Sequence, residues 1–174
     1  MATKKAVRKD GSLGKYYRST SKQRAKKPAI YEPKTVFLIM GFDGTDSATA
    51  AIKDECKKRR LKAMRADDYS GSGIVIVDIF NHIENAQFII CDLTNGRPNV
   101  YYELGYAHGT GNWPDTILLV AKKGTDLHFD IAPFQVKGYG SIQELRSIVS
   151  ETLIKWKSMY VSLKSIPRKA SKRR

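Results

Sequence analysis

The residues with the most chemistry in them lie in one block, Asp92-Leu93-Thr94-Asn95-Gly96-Arg97-Pro98-Asn99-Val100-Tyr101-Tyr102-Glu103-Leu104-Gly105. Pro98 fits the first turn of a helix, where its missing N–H has no partner to lose. On a helix running from Pro98 to about Gly109–Gly111, Asn99, Glu103, Tyr106 and Thr110 share one stripe. Val100, Leu104 and Ala107 form an apolar stripe beside it, to face a sheet. Glu103 then sits about one turn inside a helix whose unpaired N–H groups, with Arg97 beside them, suit an anion such as phosphate. One carboxylate in a sugar-binding crevice can act as nucleophile, or stabilise positive charge developing at an anomeric carbon. Spacing alone favours a plainer alternative, with Glu103 an ordinary polar residue on a helix face and Asp92 a turn cap.

The surrounding pattern says what would position this block. Thr35–Met40 is a continuous apolar run, as in a strand covered on both faces. Asp46 or Ser47 is expected to cap a helix over Ala48–Arg60. Further strands are expected at Leu61–Ala66, Gln87–Asp92, Thr116–Ala121 and Phe134–Tyr139, with helices at Ile74–Asn85 and Ser141–Leu163. Strand and helix alternate five times, which implies an α/β fold with a five-stranded parallel sheet and helices on both faces. Right-handed crossovers give the flavodoxin-like order 2-1-3-4-5. Ligands on such sheets bind beyond the carboxyl ends of the strands where the winding reverses, here between the loops Gly41–Asp46 and Leu93–Asn99.

Composition bounds the rest. The 174 residues suit one domain, and 41% apolar content is ordinary. The net charge of +14 is carried by the ends. Residues 1–30 hold ten Lys/Arg and one acid, and residues 155–174 hold eight and none, so residues 31–154 are slightly acidic at −3. The division expected is a basic arm at 1–33 that is disordered or ordered by a partner, an α/β domain at 34–163 and a basic tail at 164–174. Tyr16, Tyr17 and Tyr31 interleave with the arm, so residues 1–30 and 155–174 read equally as nucleic-acid-binding or as merely solvated segments. No run reaches the roughly 20 apolar residues that span a bilayer, and the start lacks the apolar core of a secretory signal, so a cytoplasmic protein without a membrane partner is expected. Cys56 and Cys91 have no disulfide or zinc spacing, and Cys91 reads as a small core residue. His82 and His128 have no ligand spacing, so no metal is expected. His108 lies roughly 140° around the helix from Glu103 and is not its partner.

Three stretches carry a resemblance. They are Arg65-Ala66-Asp67-Asp68, then Ile83-Glu84-Asn85-Ala86-Gln87-Phe88-Ile89-Ile90-Cys91-Asp92-Leu93-Thr94, then Pro98-Asn99-Val100-Tyr101-Tyr102-Glu103-Leu104-Gly105-Tyr106-Ala107-His108. Together they resemble the TIR-like, nucleoside 2-deoxyribosyltransferase-like superfamily of predicted nucleotide-binding proteins. Phe37–Asp43 resembles its first strand and loop, and Phe129-Asp130-Ile131 with Tyr139 and Glu144-Leu145-Arg146 resembles its end. The likeness covers about 35–150 and leaves both basic ends outside. It implies that Glu103 cleaves or transfers at an N-glycosidic bond of a nucleoside, a nucleotide or NAD, with NAD a substrate and no cofactor needed. From their places beside the crevice, Phe42, Asp43, Asp92 and Asn99 are expected to position the ligand, Arg97 to meet a phosphate and Asp67 a ribose hydroxyl. The alternatives there are an ordinary turn at Phe42–Asp43 and a merely hydrated loop at Asp67. The resemblance adds that TIR-type members often become active only as homo-oligomeric assemblies. His128 departs from the pattern, standing where many relatives carry proline, and the loop Tyr69–Gly73 is short. The alternatives are a non-catalytic nucleotide sensor or a protein that uses its basic tails to hold nucleic acid. Gly71-Ser72-Gly73 ahead of a helix is a phosphate cradle or, more simply, a flexible turn.

Overall fold

A computed structural model describes residues 32–68, 76–110, 114–131 and 133–164. The strands are β1 (Glu32–Met40), β2 (Lys62–Arg65), β3 (Ala86–Asp92), β4 (Ile117–Lys122) and β5 (Val136–Tyr139). The helices are α1 (Asp46–Lys58), α2 (Ile76–Asn85), α3 (Pro98–Gly109) and α4 (Ile142–Lys164). All strand pairs are parallel, in the expected order β2-β1-β3-β4-β5. The glycine turn, most of the basic arm and residues 165–174 lie outside the described residues.

The continuous apolar runs explain the layering. Every residue of β3 is buried, so its alternating side chains feed two cores. Val36, Leu38, Phe88 and Ile90 meet Ile52 and Cys56 of α1 and Leu145, Val149 and Leu153 of α4. Phe37, Ile39, Ile89 and Cys91 meet Ile83 of α2 and Val100, Leu104 and Ala107 of α3. The apolar stripe read into α3 is therefore its sheet-facing side. Cys91 is a core residue, as expected, and burial drives its thiol pKa well above the usual range. Trp156 fixes the far half of α4, its ring stacked on Phe88 at 4.5 Å and its indole N–H donating to the Asp115 carbonyl at 2.6 Å.

Several boundaries differ from expectation for local reasons. β1 starts at Glu32 rather than Thr35, because side chains carry the pairing through an irregular stretch. Lys34, at φ 66°, donates its N–H to Gln87 Oε1 at 2.6 Å, and the Gln87 N–H donates to Thr35 Oγ1 at 3.1 Å. Neither Asp46 nor Ser47 caps α1. Thr45 holds the cap position without a side-chain cap bond, and its hydroxyl instead donates to the Gly41 carbonyl at 2.6 Å. α4 has a working cap: the Glu144 N–H donates to Ser141 Oγ at 3.1 Å, and Glu144 Oε2 accepts the Gly140 N–H at 2.7 Å.

Candidate functional site

Because β1 and β3 are neighbours while their crossovers run in opposite directions, the loops 41–45 and 93–97 face each other at the carboxyl ends of the strands. Arg97 joins them, its Nη2 donating to Asp43 Oδ2 at 2.8 Å. The Arg97 stem crosses Gly41 so closely that a Cβ there would stand 3.4 Å from Arg97 Cγ. Asn95 and Gly96 both take positive φ, 73° and 56°, turning the chain sharply from β3 into α3.

Asp92 is tied inward. Its Oδ1 accepts the Thr94 N–H at 2.9 Å and the Thr94 hydroxyl at 2.5 Å, while Oδ2 accepts the Tyr139 hydroxyl at 2.8 Å. Thr94 Oγ1 in turn accepts the Lys122 N–H at 3.0 Å, so one buried carboxylate clasps the ends of β3, β4 and β5. Burial pushes the Tyr139 phenol up to about 12. Asp92 therefore presents its oxygens to the protein, not to a ligand.

Asp67 is also engaged. It accepts Arg65 Nε at 2.6 Å and Arg65 Nη2, and that guanidinium holds its carboxyl below the usual carboxylate range. Arg65 organises more than this pair. Its Nη1 reaches Thr45 at 3.1 Å and Thr49 at 2.9 Å, and its guanidinium carbon lies 5.3 Å from the centre of the Phe42 ring. Sequence reading gave Arg65 no role; the available signal was an arginine closing a buried strand two residues before Asp67.

Glu103 stands apart from these networks. It is only 9% exposed, and among the described residues its carboxyl has neither a hydrogen-bond partner nor an ion pair. Burial alone pushes its pKa from 4.5 up to about 7. Its charge also adds to the upward push on Cys91, which puts it beside β3. Of its stripe, Tyr106 stacks on Phe80 at 3.8 Å and its hydroxyl donates to Glu84, so it is occupied away from the strand ends. Asn99, Asp43 and Phe42 are exposed at the same end of the sheet, Phe42 at 49%.

A cleft of about 310 Å³ lies on the other face, between the starts of α1 and α4, lined by Thr45, Ser47, Thr94, Lys122, Tyr139 and Ser141 among others. Glu103 does not line it. Its ionisable side chains are Lys122 and the hydrogen-bonded Tyr139, a set that can attract an anion but offers no carboxylate or nucleophile of raised reactivity. The raised carboxyl of Glu103 and this cleft are therefore separate features of the fold.

Neither a scan against protein-family models nor a search of curated proteins finds a match for this chain. Among the described residues no three His, Cys, Asp or Glu side chains converge as a metal site, and no helix is long and apolar enough to cross a membrane.

Proposed function

We propose that the chain is a nucleotide-binding domain of the TIR-like, deoxyribosyltransferase-like type that cleaves or transfers at an N-glycosidic bond through Glu103. The observation that carries this reading is a largely buried carboxyl whose oxygens keep an edge of solvent contact but have no hydrogen bond or countercharge among the described residues, one turn into a helix that starts at the switch point. Such a group is costly to ionise alone, and a cationic ligand removes that cost. A ribosyl C1′ gaining positive charge is one such partner, and the nicotinamide ring of NAD supplies a formal positive charge before reaction.

In the proposed step the C1′–N bond breaks and its electron pair leaves with the base. The Glu103 carboxylate bonds to C1′ or stabilises the oxocarbenium ion until water or an acceptor hydroxyl completes the transfer. Phe42 offers a stacking face for the base, while Asp43 and Asn99 offer exposed polar atoms to the sugar hydroxyls. Arg97, 48% exposed, offers charge to a phosphate. Asp92 and Asp67 serve the same site indirectly, through the Tyr139 clasp and through Arg65.

The test is incubation of the full chain with NAD and with nucleosides, followed by chromatography for free base. Glu103→Gln keeps volume and hydrogen bonding but loses the charge. Base release by the wild type that disappears in the variant, with ligand affinity retained, is the expected result. Undiminished release by Glu103→Gln removes Glu103 from the chemistry. Binding without turnover by the wild type, as monomer and as assembly, makes the domain a sensor.

A further inference from the structure

In a parallel sheet every strand starts at the same end, and here that end, opposite the Glu103 crevice, collects unpaired cations. α1 runs back toward it and finishes in Lys57-Lys58-Arg59-Arg60, followed by Leu61 and by Lys62, the first residue of β2. Lys62 pairs with Thr35 near the start of β1. α4 arrives at the same pole, since Trp156 stacks on Phe88 and Phe88 pairs with Val36. Lys155 and Lys157 flank that tryptophan on the exposed side.

The charges here are not absorbed locally. Lys58 and Arg59 neutralise the buried Glu55, which also meets Arg146. Lys57, Arg60, Lys62, Lys155 and Lys157 have no ion pair among the described residues. Glu32, Glu84, Asp115 and Glu151 are the acids near this pole; Glu84 accepts the Tyr106 hydroxyl, and none of the four forms a salt bridge among the described residues.

Arg60 adds an independent observation. The Leu61 N–H donates to the Cys56 carbonyl and the Arg60 N–H to the Lys57 carbonyl, both at 3.0 Å, which is a Schellman turn. Its left-handed position normally takes glycine, yet Arg60 occupies it at φ 58°. A cation is held where a stable fold would prefer no side chain at all.

We infer that this pole, centred on Lys57, Arg60 and Lys62, is a phosphate-backbone surface for duplex nucleic acid. β1 begins at Glu32 and α4 ends at Lys164 on this side of the sheet. Nucleic acid suits it better than a lipid surface, which needs apolar anchors among the cations. Leu61 is packed against the core, and over α4 residues 142–159 Ile154 is the large apolar side chain that is exposed. Because the surface faces away from the crevice, it operates whether or not Glu103 is catalytic.

The test uses the full chain, a short DNA duplex and anisotropy titrations from 50 to 200 mM salt. Replacing Lys57, Arg60 and Lys62 together by Gln should flatten the slope of log K against log salt by about 2.7, so the variant loses about 40-fold less affinity over that range. Arg60→Gly is the second variant, since it relaxes the turn instead of stressing it. It should flatten the slope by about 0.9 while raising the melting temperature. A wild-type slope in both variants overturns the proposal. So does tighter binding of the wild type to phosphatidylserine vesicles, or to a polyglutamate peptide, than to the duplex.

Discussion

Glu103→Gln should change stability in a pH-dependent way that reports directly on its burial. The carboxyl titrates at 4.5 when unfolded and at about 7 in the fold, so between those values the native state holds a proton that the unfolded chain has released. Native stability therefore falls as pH rises through this window, and the penalty is complete above about pH 7.5. At about 1.36 kcal/mol per pH unit a fully enclosed carboxyl would incur about 3 kcal/mol; because this one keeps partial solvent contact, about 1–2 kcal/mol is expected, and Gln does not incur it. At pH 4.5 the variant should match the wild type; at pH 8 it should be more stable. For a chain of this length, where about 1 kcal/mol shifts melting by about 2–4 °C, the gap at pH 8 should reach roughly 2–8 °C. Thermal melts followed by circular dichroism at half-unit pH steps would show it. A gap that stays constant between pH 5 and 8, or a variant that melts lower at pH 8, would refute the premise of an uncompensated buried carboxyl. Saturating NAD should close the gap if the proposed cationic ligand supplies the countercharge.

Three further outcomes follow from the neighbouring networks. Asp92→Ala leaves the Thr94 and Tyr139 donors without an acceptor and should cost about 3 kcal/mol in urea unfolding, whereas the exposed pair Asp43–Arg97 should contribute under about 1 kcal/mol when either side is truncated. Arg65→Lys keeps the charge but cannot span Asp67, Thr45 and Thr49 together, so it should weaken binding of a stacked ligand at Phe42 severalfold with far less effect on the rate constant at saturation.

The fold was legible because its signals are local and repetitive. Runs such as Val36–Met40 and Phe88–Cys91 are apolar on both sides of the chain, and alternation with helices leaves few orders once crossovers are right-handed. The stripe of Val100, Leu104 and Ala107 likewise fixed which side of α3 meets the sheet. What escaped depends on pairs distant in sequence. Nothing near Asp92 announces Tyr139, 47 residues away, yet that hydroxyl decides that Asp92 looks inward. Arg65 meets Thr45, 20 residues before it, and Gln87 completes β1 by bonding Lys34, 53 residues before it. Side-chain contacts across strands carry no periodicity, so a linear pattern does not contain them.

The Asp92 clasp also makes the two walls of the crevice mechanically unequal. On the β3 side, three strand ends share one buried carboxylate, and displacing any of them breaks hydrogen bonds inside the protein. On the β1 side, Gly41 and Thr45 are buried anchors, but residues 42–44 between them are exposed and held by the Arg97 latch, the arginine beneath Phe42 and a weaker Thr45 bond at 3.2 Å. Gly44, at φ 68°, supplies a joint that side-chain-bearing residues rarely provide. A ligand held between these loops would therefore meet one fixed wall and one tied down only at its two ends and by a few exposed contacts.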